Sequence, residues 1–174
     1  MRERTYPPRY LLELRDLPLV ICITDDSPSS LRERAQEQCD GRFGFWSRSY
    51  SGRVALVAGS NQRVGVDVEL TDLAREDSWS LTNEWFRSSM LTSEERVRIE
   101  SDSTPVTTLS ATSVWSSKEA VAKALGTPRQ FDPTRLTGAA VWKDARRGRW
   151  RAAYLDLTPL GLDAVAWMVY EDFA

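Results

Sequence analysis

Residues 115–126 read Trp-Ser-Ser-Lys-Glu-Ala-Val-Ala-Lys-Ala-Leu-Gly, and they close a stretch, 108–125, that contains neither proline nor glycine. Alanine recurs through its second half, Gly126 can take the positive φ that ends a helix, and Pro128 blocks continuation. The pattern predicts one long helix over 108–125. On a wheel of about 100° per residue, Trp115, Glu119, Ala122 and Lys123 share one side, with Val114, Val121 and Leu125 as apolar anchors. Glu119 and Lys123 therefore stand one turn apart. That spacing suits an exposed ion pair worth about 0.3 kcal/mol, and it equally suits two charges turned inward toward a ligand beside the Trp115 indole. A second feature has to decide between them.

The 174-residue chain is long enough for one well-filled core, or for two small halves joined in one domain. A net charge of −2 gives no electrostatic basis for non-specific nucleic-acid binding. Histidine is absent, which excludes imidazole triads, His-containing zinc sites and His general bases. Carboxylates, lysines and backbone amides must carry any chemistry, and oxygen-ligand metals such as Mg²⁺ stay open. The longest apolar runs, 17–23 and 164–170, are strand-sized rather than membrane-spanning, and the opening Met-Arg-Glu-Arg lacks the apolar core of a secretory signal. With two cysteines, Cys22 and Cys39, read as thiols rather than a bridge or metal site, the expected compartment is a reducing cytoplasm.

Upstream, residues 1–16 read as an extended lead-in, 17–24 as a strand, 25–30 as turn and cap, and 31–39 as a polar helix. Asp40 and Gly41 signal a turn before a strand over 43–49. Segments 54–58 and 64–70 are expected to pair as a hairpin around Gly59-Ser60-Asn61-Gln62. A helical region over 79–87 would pack through Trp85 and Phe86, and Thr92-Ser93-Glu94-Glu95 reads as a helix start ahead of a polar break at 101–105. Beyond the long helix, strands are expected over 138–143, 150–157 and 163–170, with a basic turn at 143–149. The two halves match in element order. The expected fold class is thus α+β, two similar lobes divided as 1–63 and 64–174, each a small antiparallel sheet packed on a helix, with the site where they meet.

At that meeting point stands Gly65-Val66-Asp67-Val68-Glu69. In a strand Asp67 and Glu69 project to one face while Val66 and Val68 enter the core. Two carboxylates on one face fit a solvated edge. With an inward Glu119 they also make three oxygen ligands for Mg²⁺, with Lys118 and Lys123 placed to hold substrate phosphates.

The stretch Gly-Val-Asp-Val-Glu, followed by Trp-x-x-Lys-Glu-Ala-x-x-Lys-x-x-Gly, resembles the signature of the 4′-phosphopantetheinyl transferase superfamily. The likeness runs over 46–126: Trp46-Ser47-Arg48-Ser49-Tyr50-Ser51-Gly52 is similar to the aromatic-Asn-x-Ser-His-Ser-Gly segment of the two-lobed, surfactin-synthetase-activating type, and Leu91-Thr92-Ser93-Glu94-Glu95 to its acidic segment. The resemblance implies transfer of the 4′-phosphopantetheine arm of coenzyme A to a carrier-protein serine, with 3′,5′-ADP leaving. It implies Asp67, Glu69 and Glu119 as Mg²⁺ ligands, Lys123 and Lys118 at the phosphates, and Glu95, or Glu94 if the alignment shifts by one, as the general base. Ser49 and Ser51, with Tyr50 and Arg48, would hold the coenzyme. Trp115 would line the pantetheine channel or pack.

Ser47 replaces the type's Asn, Tyr50 replaces its His, and the region before Trp46 is shorter. Arg48, Arg53, Arg32 and Arg34 are the arginines that could grip the 3′-phosphate in its place. Two other readings stay open: a transferase-like fold that binds a phosphate-bearing ligand or a carrier protein without transferring the arm, and an enzyme repurposed for another biosynthetic step. A monomer is expected, with no nucleic-acid or membrane partner.

Overall fold

The computed structural model describes residues 10–12, 18–39, 41–71, 82–101 and 110–172. Expectations for residues 1–9, Asp40, Trp79, the break at 102–105 and the first two positions of the long helix lie outside these. Among the described residues there are two antiparallel four-stranded sheets and four α-helices, and the fold is α+β. The first sheet comprises β1 (Tyr10–Leu12), β2 (Leu19–Thr24), β3 (Phe45–Ser51) and β4 (Val54–Ser60), in the order β1-β2-β4-β3. Tyr10–Leu12 is thus a strand, where the sequence suggested only an extended lead-in. The second sheet has β5 (Val64–Leu70), β6 (Arg146–Arg147), β7 (Trp150–Tyr154) and β8 (Ala164–Glu171), in the order β5-β8-β7-β6.

Helix α1 (Pro28–Glu37) starts at Ser27, whose hydroxyl accepts from the Ser30 amide, and lays Leu31 and Ala35 on Ile21, Ile23, Ala55 and Val57 of the first sheet. The other face of that sheet supplies Val20, Val54, Leu56 and Ala58 to a core shared with Val66, Val68, Ala166 and Met168 of the second. Two sheets joined through one apolar layer cannot part without exposing it. Helices α2 (Glu84–Met90) and α3 (Ser93–Ser101) bring Phe86 and Leu91 against Ala111 and Val114. Phe86 is fully buried as expected, whereas Trp85 is exposed.

The long helix, α4 (Ala111–Leu125), is stopped by Gly126 at φ 81°, as its sequence predicts, but begins after an extended Ser110 cap that lies inside the expected 108–125 span. It covers the far face of the second sheet. Its contact face is Ala120 and Ala124 rather than Leu125, which is exposed, because at Gly65 the helix comes so close to β5 that only methyl groups fit.

The hairpin expected between 54–58 and 64–70 does not form. β4 pairs with β2 and β3, while β5 crosses to the other sheet and pairs with β8 from Val64 opposite Tyr170 to Leu70 opposite Ala164. The reason lies in burial. β5 is covered on both faces, by the shared core and by α4, so its alternation belongs to an enclosed strand rather than a half-exposed one. The strand expected over 138–143 is likewise replaced by 3₁₀ turns at Ala139–Val141 and Lys143–Ala145. Their apolar residues Ala139 and Trp142 pack beneath α4 without a ladder.

Candidate active site

β5 and α4 bring the acidic motif and the Glu119–Lys123 pair together. Asp67 is 4 % exposed; its Oδ1 accepts from Lys123 Nζ at 2.7 Å and from Ser49 Oγ at 2.7 Å. Lys123 Nζ also donates to the Val66 carbonyl oxygen at 3.2 Å, so among the described residues one of the three ammonium protons stays unshared. Asp67 Oδ2 is buried with no hydrogen-bond partner. An unpartnered carboxylate oxygen in such a place is costly, and a cation would satisfy it.

Glu119 is half-buried on the same side of α4 as Lys123. Burial pushes its carboxyl above the ordinary range, the negative charges of Asp67 and Glu69 push it further, and Lys123 opposes them. Glu119, Asp67 and Glu69 therefore feel one another electrostatically. Among the described residues, though, no three Asp, Glu, His or Cys side chains are gathered tightly enough to ligate a metal as they stand.

A raised carboxyl has a testable sign. Between its ordinary value of 4.5 and its folded one, the native state holds a proton that the unfolded chain has lost. Stability of the metal-free protein therefore falls as pH rises through that window. Urea unfolding with a chelator present is expected to show a shallower fall for Glu119→Gln than for the wild type; equal slopes would mean that Glu119 is not electrostatically strained.

Glu95 and Lys118 do not stand open to a ligand. Thr92 and Glu95 form a capping box at the start of α3: the Thr92 amide donates to Glu95 Oε2 at 2.7 Å and the Glu95 amide to Thr92 Oγ1 at 3.2 Å. The Gly138 amide donates to Glu95 Oε1 at 2.7 Å. Lys118 Nζ meets Glu95 Oε2 at 2.6 Å, and donates to the carbonyls of Met90 at 2.6 Å and Pro133 at 2.5 Å. Both side chains are fully buried. In this arrangement every proton of Lys118 is committed and both Glu95 oxygens are engaged. Glu94, by contrast, is half-exposed and accepts from Arg147 and Thr137.

The hydroxyls expected at the coenzyme phosphates are also occupied. Ser49 donates to Asp67, and Ser51 Oγ accepts from the Leu70 amide at 3.0 Å and approaches Glu69 Oε2 at 3.5 Å. Arg48 and Tyr50 point the other way and are exposed, Arg48 donating to Gln36. Arg34 is taken up by Asp25 and the Thr24 carbonyl. Trp115, one turn before Glu119, stacks at a tilt on Phe131 with ring centroids 5.8 Å apart.

The model of the 4′-phosphopantetheinyl transferase superfamily matches residues 63–158, more than half of the chain. The protein belongs to this superfamily. No curated protein matches it. The matched span of this 4′-phosphopantetheinyl transferase superfamily member runs from just before β5 through α4 and β7, so it contains Asp67, Glu69, Glu119 and Lys123 and leaves out the serine row of β3. Membership makes the chain a transferase of the phosphopantetheinyl class. Among the described residues, no helix is long and apolar enough to cross a membrane.

Two contributors escaped the sequence reading. Gly65 lets α4 approach β5, and a glycine inside a strand is the signal for such an approach. Ser47 accepts from the Val66 amide at 3.0 Å. The alternation of Ser47, Ser49 and Ser51 was the available sign of a polar strand face turned to a neighbour.

Proposed function

We propose that this protein transfers the 4′-phosphopantetheine arm of coenzyme A to a serine hydroxyl of an acyl or peptidyl carrier protein, as a two-lobed enzyme of the surfactin-synthetase-activating type acting as a cytoplasmic monomer. The observation that carries the reading is the buried, unpartnered Asp67 Oδ2, on a carboxylate whose other oxygen binds the Lys123 ammonium, in a chain of this superfamily. In the reaction the serine oxygen forms a bond to the phosphorus that carries the pantetheine arm, the bond from that phosphorus to the bridging oxygen breaks, and 3′,5′-ADP leaves.

The donor set is made of hard oxygens, and the orphaned Asp67 oxygen fits a divalent cation. Asp67, Glu69 and Glu119 would hold Mg²⁺, which supplies positive charge against the pyrophosphate oxygens. Lys123, with its remaining proton, stabilises negative charge developing on those oxygens. Arg48 and Tyr50, exposed on the face of β3 opposite Ser49, are the residues that the resemblance assigns to the nucleotide. Of the two acidic residues opening α3, only Glu94 presents its carboxylate to solvent, and it is the one assigned to receive the serine proton. The lobes 1–63 and 64–174 close the cleft from either side.

Incubation with coenzyme A, Mg²⁺ and an apo carrier protein is expected to add the phosphopantetheine mass to the carrier serine, read by intact-mass spectrometry. Asp67→Ala and Glu119→Ala are each expected to slow transfer about 10²-fold or more. If coenzyme A binds but several apo carriers stay unmodified, a binding protein or a repurposed enzyme is the better reading. If coenzyme A does not bind either, the proposal falls.

A further inference from the structure

The three serines on the inner face of β3 do not make equivalent contacts. Ser47 and Ser51 each accept a backbone N–H, from Val66 and Leu70, both at 3.0 Å, and so fasten the edge of β3 to the edge of β5. Ser49, between them and 5 % exposed, instead donates its hydroxyl proton to Asp67 Oδ1. Lys123 donates to the same oxygen, and Oδ2 is left buried without a donor. With both donors on one oxygen, the orientation of the carboxylate is fixed.

We infer that Ser49 is a positioning residue, whose hydroxyl holds the Asp67 carboxylate so that Oδ2 is the oxygen presented to a divalent cation. This rests on the reading of Asp67 as a metal ligand. With the hydroxyl gone, Lys123 alone restrains the group, and its long stem does so loosely. Outer-shell hydrogen bonds of this kind change metal affinity by about 10–100-fold. A hydroxyl that merely joined the two strands would, when removed, lower stability and leave affinity untouched.

The test is calorimetric titration of Mg²⁺ alone into metal-free protein, paired with the rise in Tm that the ion produces. Ser49→Ala is expected to weaken Mg²⁺ binding about 10-fold, and Ser49→Thr, which keeps the hydroxyl, to restore it. Ser47→Ala, which removes the acceptor for the Val66 amide, is expected to lower the Tm of the metal-free protein with Mg²⁺ affinity unchanged. Ser49→Cys fills the same space with a much weaker donor and carries the comparison if Ser49→Ala does not fold. Wild-type and Ser49→Ala proteins that bind Mg²⁺ equally would overturn the positioning role and leave the metal reading standing. A wild-type protein that takes up no Mg²⁺ would remove the metal reading, and this inference with it.

Discussion

Gly65→Ala is expected to destabilise the protein by about 3 kcal/mol or more, and to abolish transfer even in the fraction that folds. A Cβ built at Gly65 would lie 2.0 Å from the Ala120 carbonyl oxygen and 2.5 Å from the Ala124 amide nitrogen. Both are backbone atoms in the C-terminal half of α4, so no side-chain rotation relieves the overlap. The helix must lift away from β5, and with it Glu119 and Lys123 move from Asp67. Chemical denaturation gives the first effect and the carrier-modification assay the second. A fully stable, fully active Gly65→Ala protein would show that α4 and β5 are not so closely packed.

Lys118→Ala is expected to cost about 3–5 kcal/mol, because it strips the counter-charge from a fully buried Glu95. Burial pulls the Lys118 ammonium below its ordinary range, while the Glu95 charge and hydrogen bond resist that shift. The pair is therefore costly to bury and costlier to break. It also connects four segments: Met90 at the end of α2, Thr92 before α3, Pro133 in the loop after α4, and Gly138. Glu95→Gln alone should be milder, since the amide oxygen can still accept from one backbone N–H. The double variant Lys118→Met with Glu95→Gln is expected to recover a substantial part of the Lys118→Ala loss in urea unfolding, because no charge is then left unpaired. No recovery would mean that the carbonyl contacts, rather than the ion pair, hold these segments.

How far the chain could be read without its fold follows from which signals are local. The body of α4 and its Gly126 stop depend on neighbouring residues, and the sequence carries them directly; the Ser110 cap, inside the expected span, had to be seen. The strand character of β5 and the shared face of Asp67 and Glu69 are also local, as period-2 alternation. Partnership is not. Whether β5 pairs with β4 or with β8 depends on what covers each of its faces, and Gly59-Ser60-Asn61-Gln62 looks the same in either case. The fate of Lys118 was equally out of reach. It sits next to Glu119 in sequence, but a step of about 100° around the helix turns it toward Glu95 and the loop carbonyls rather than toward Asp67. Residues 138–143 read as a strand because a short continuous apolar run serves a pair of 3₁₀ turns beneath a helix as well as it serves a buried strand.

The pairing of β5 with β8 also governs the order in which the molecule can assemble. The first sheet draws its strands from residues 10–60, whereas β5 must wait for a partner that begins at Ala164. Contacts so distant along the chain make loop closure costly and slow. Until β8 arrives, β5 has no backbone ladder on that side, and α4 has only part of the surface on which it rests. A nascent chain that has emerged as far as Lys123 thus already contains Ser49, Asp67, Glu69 and Glu119, yet it cannot hold them in register. The last strand, which contributes none of these side chains, is the one that makes the chemistry possible.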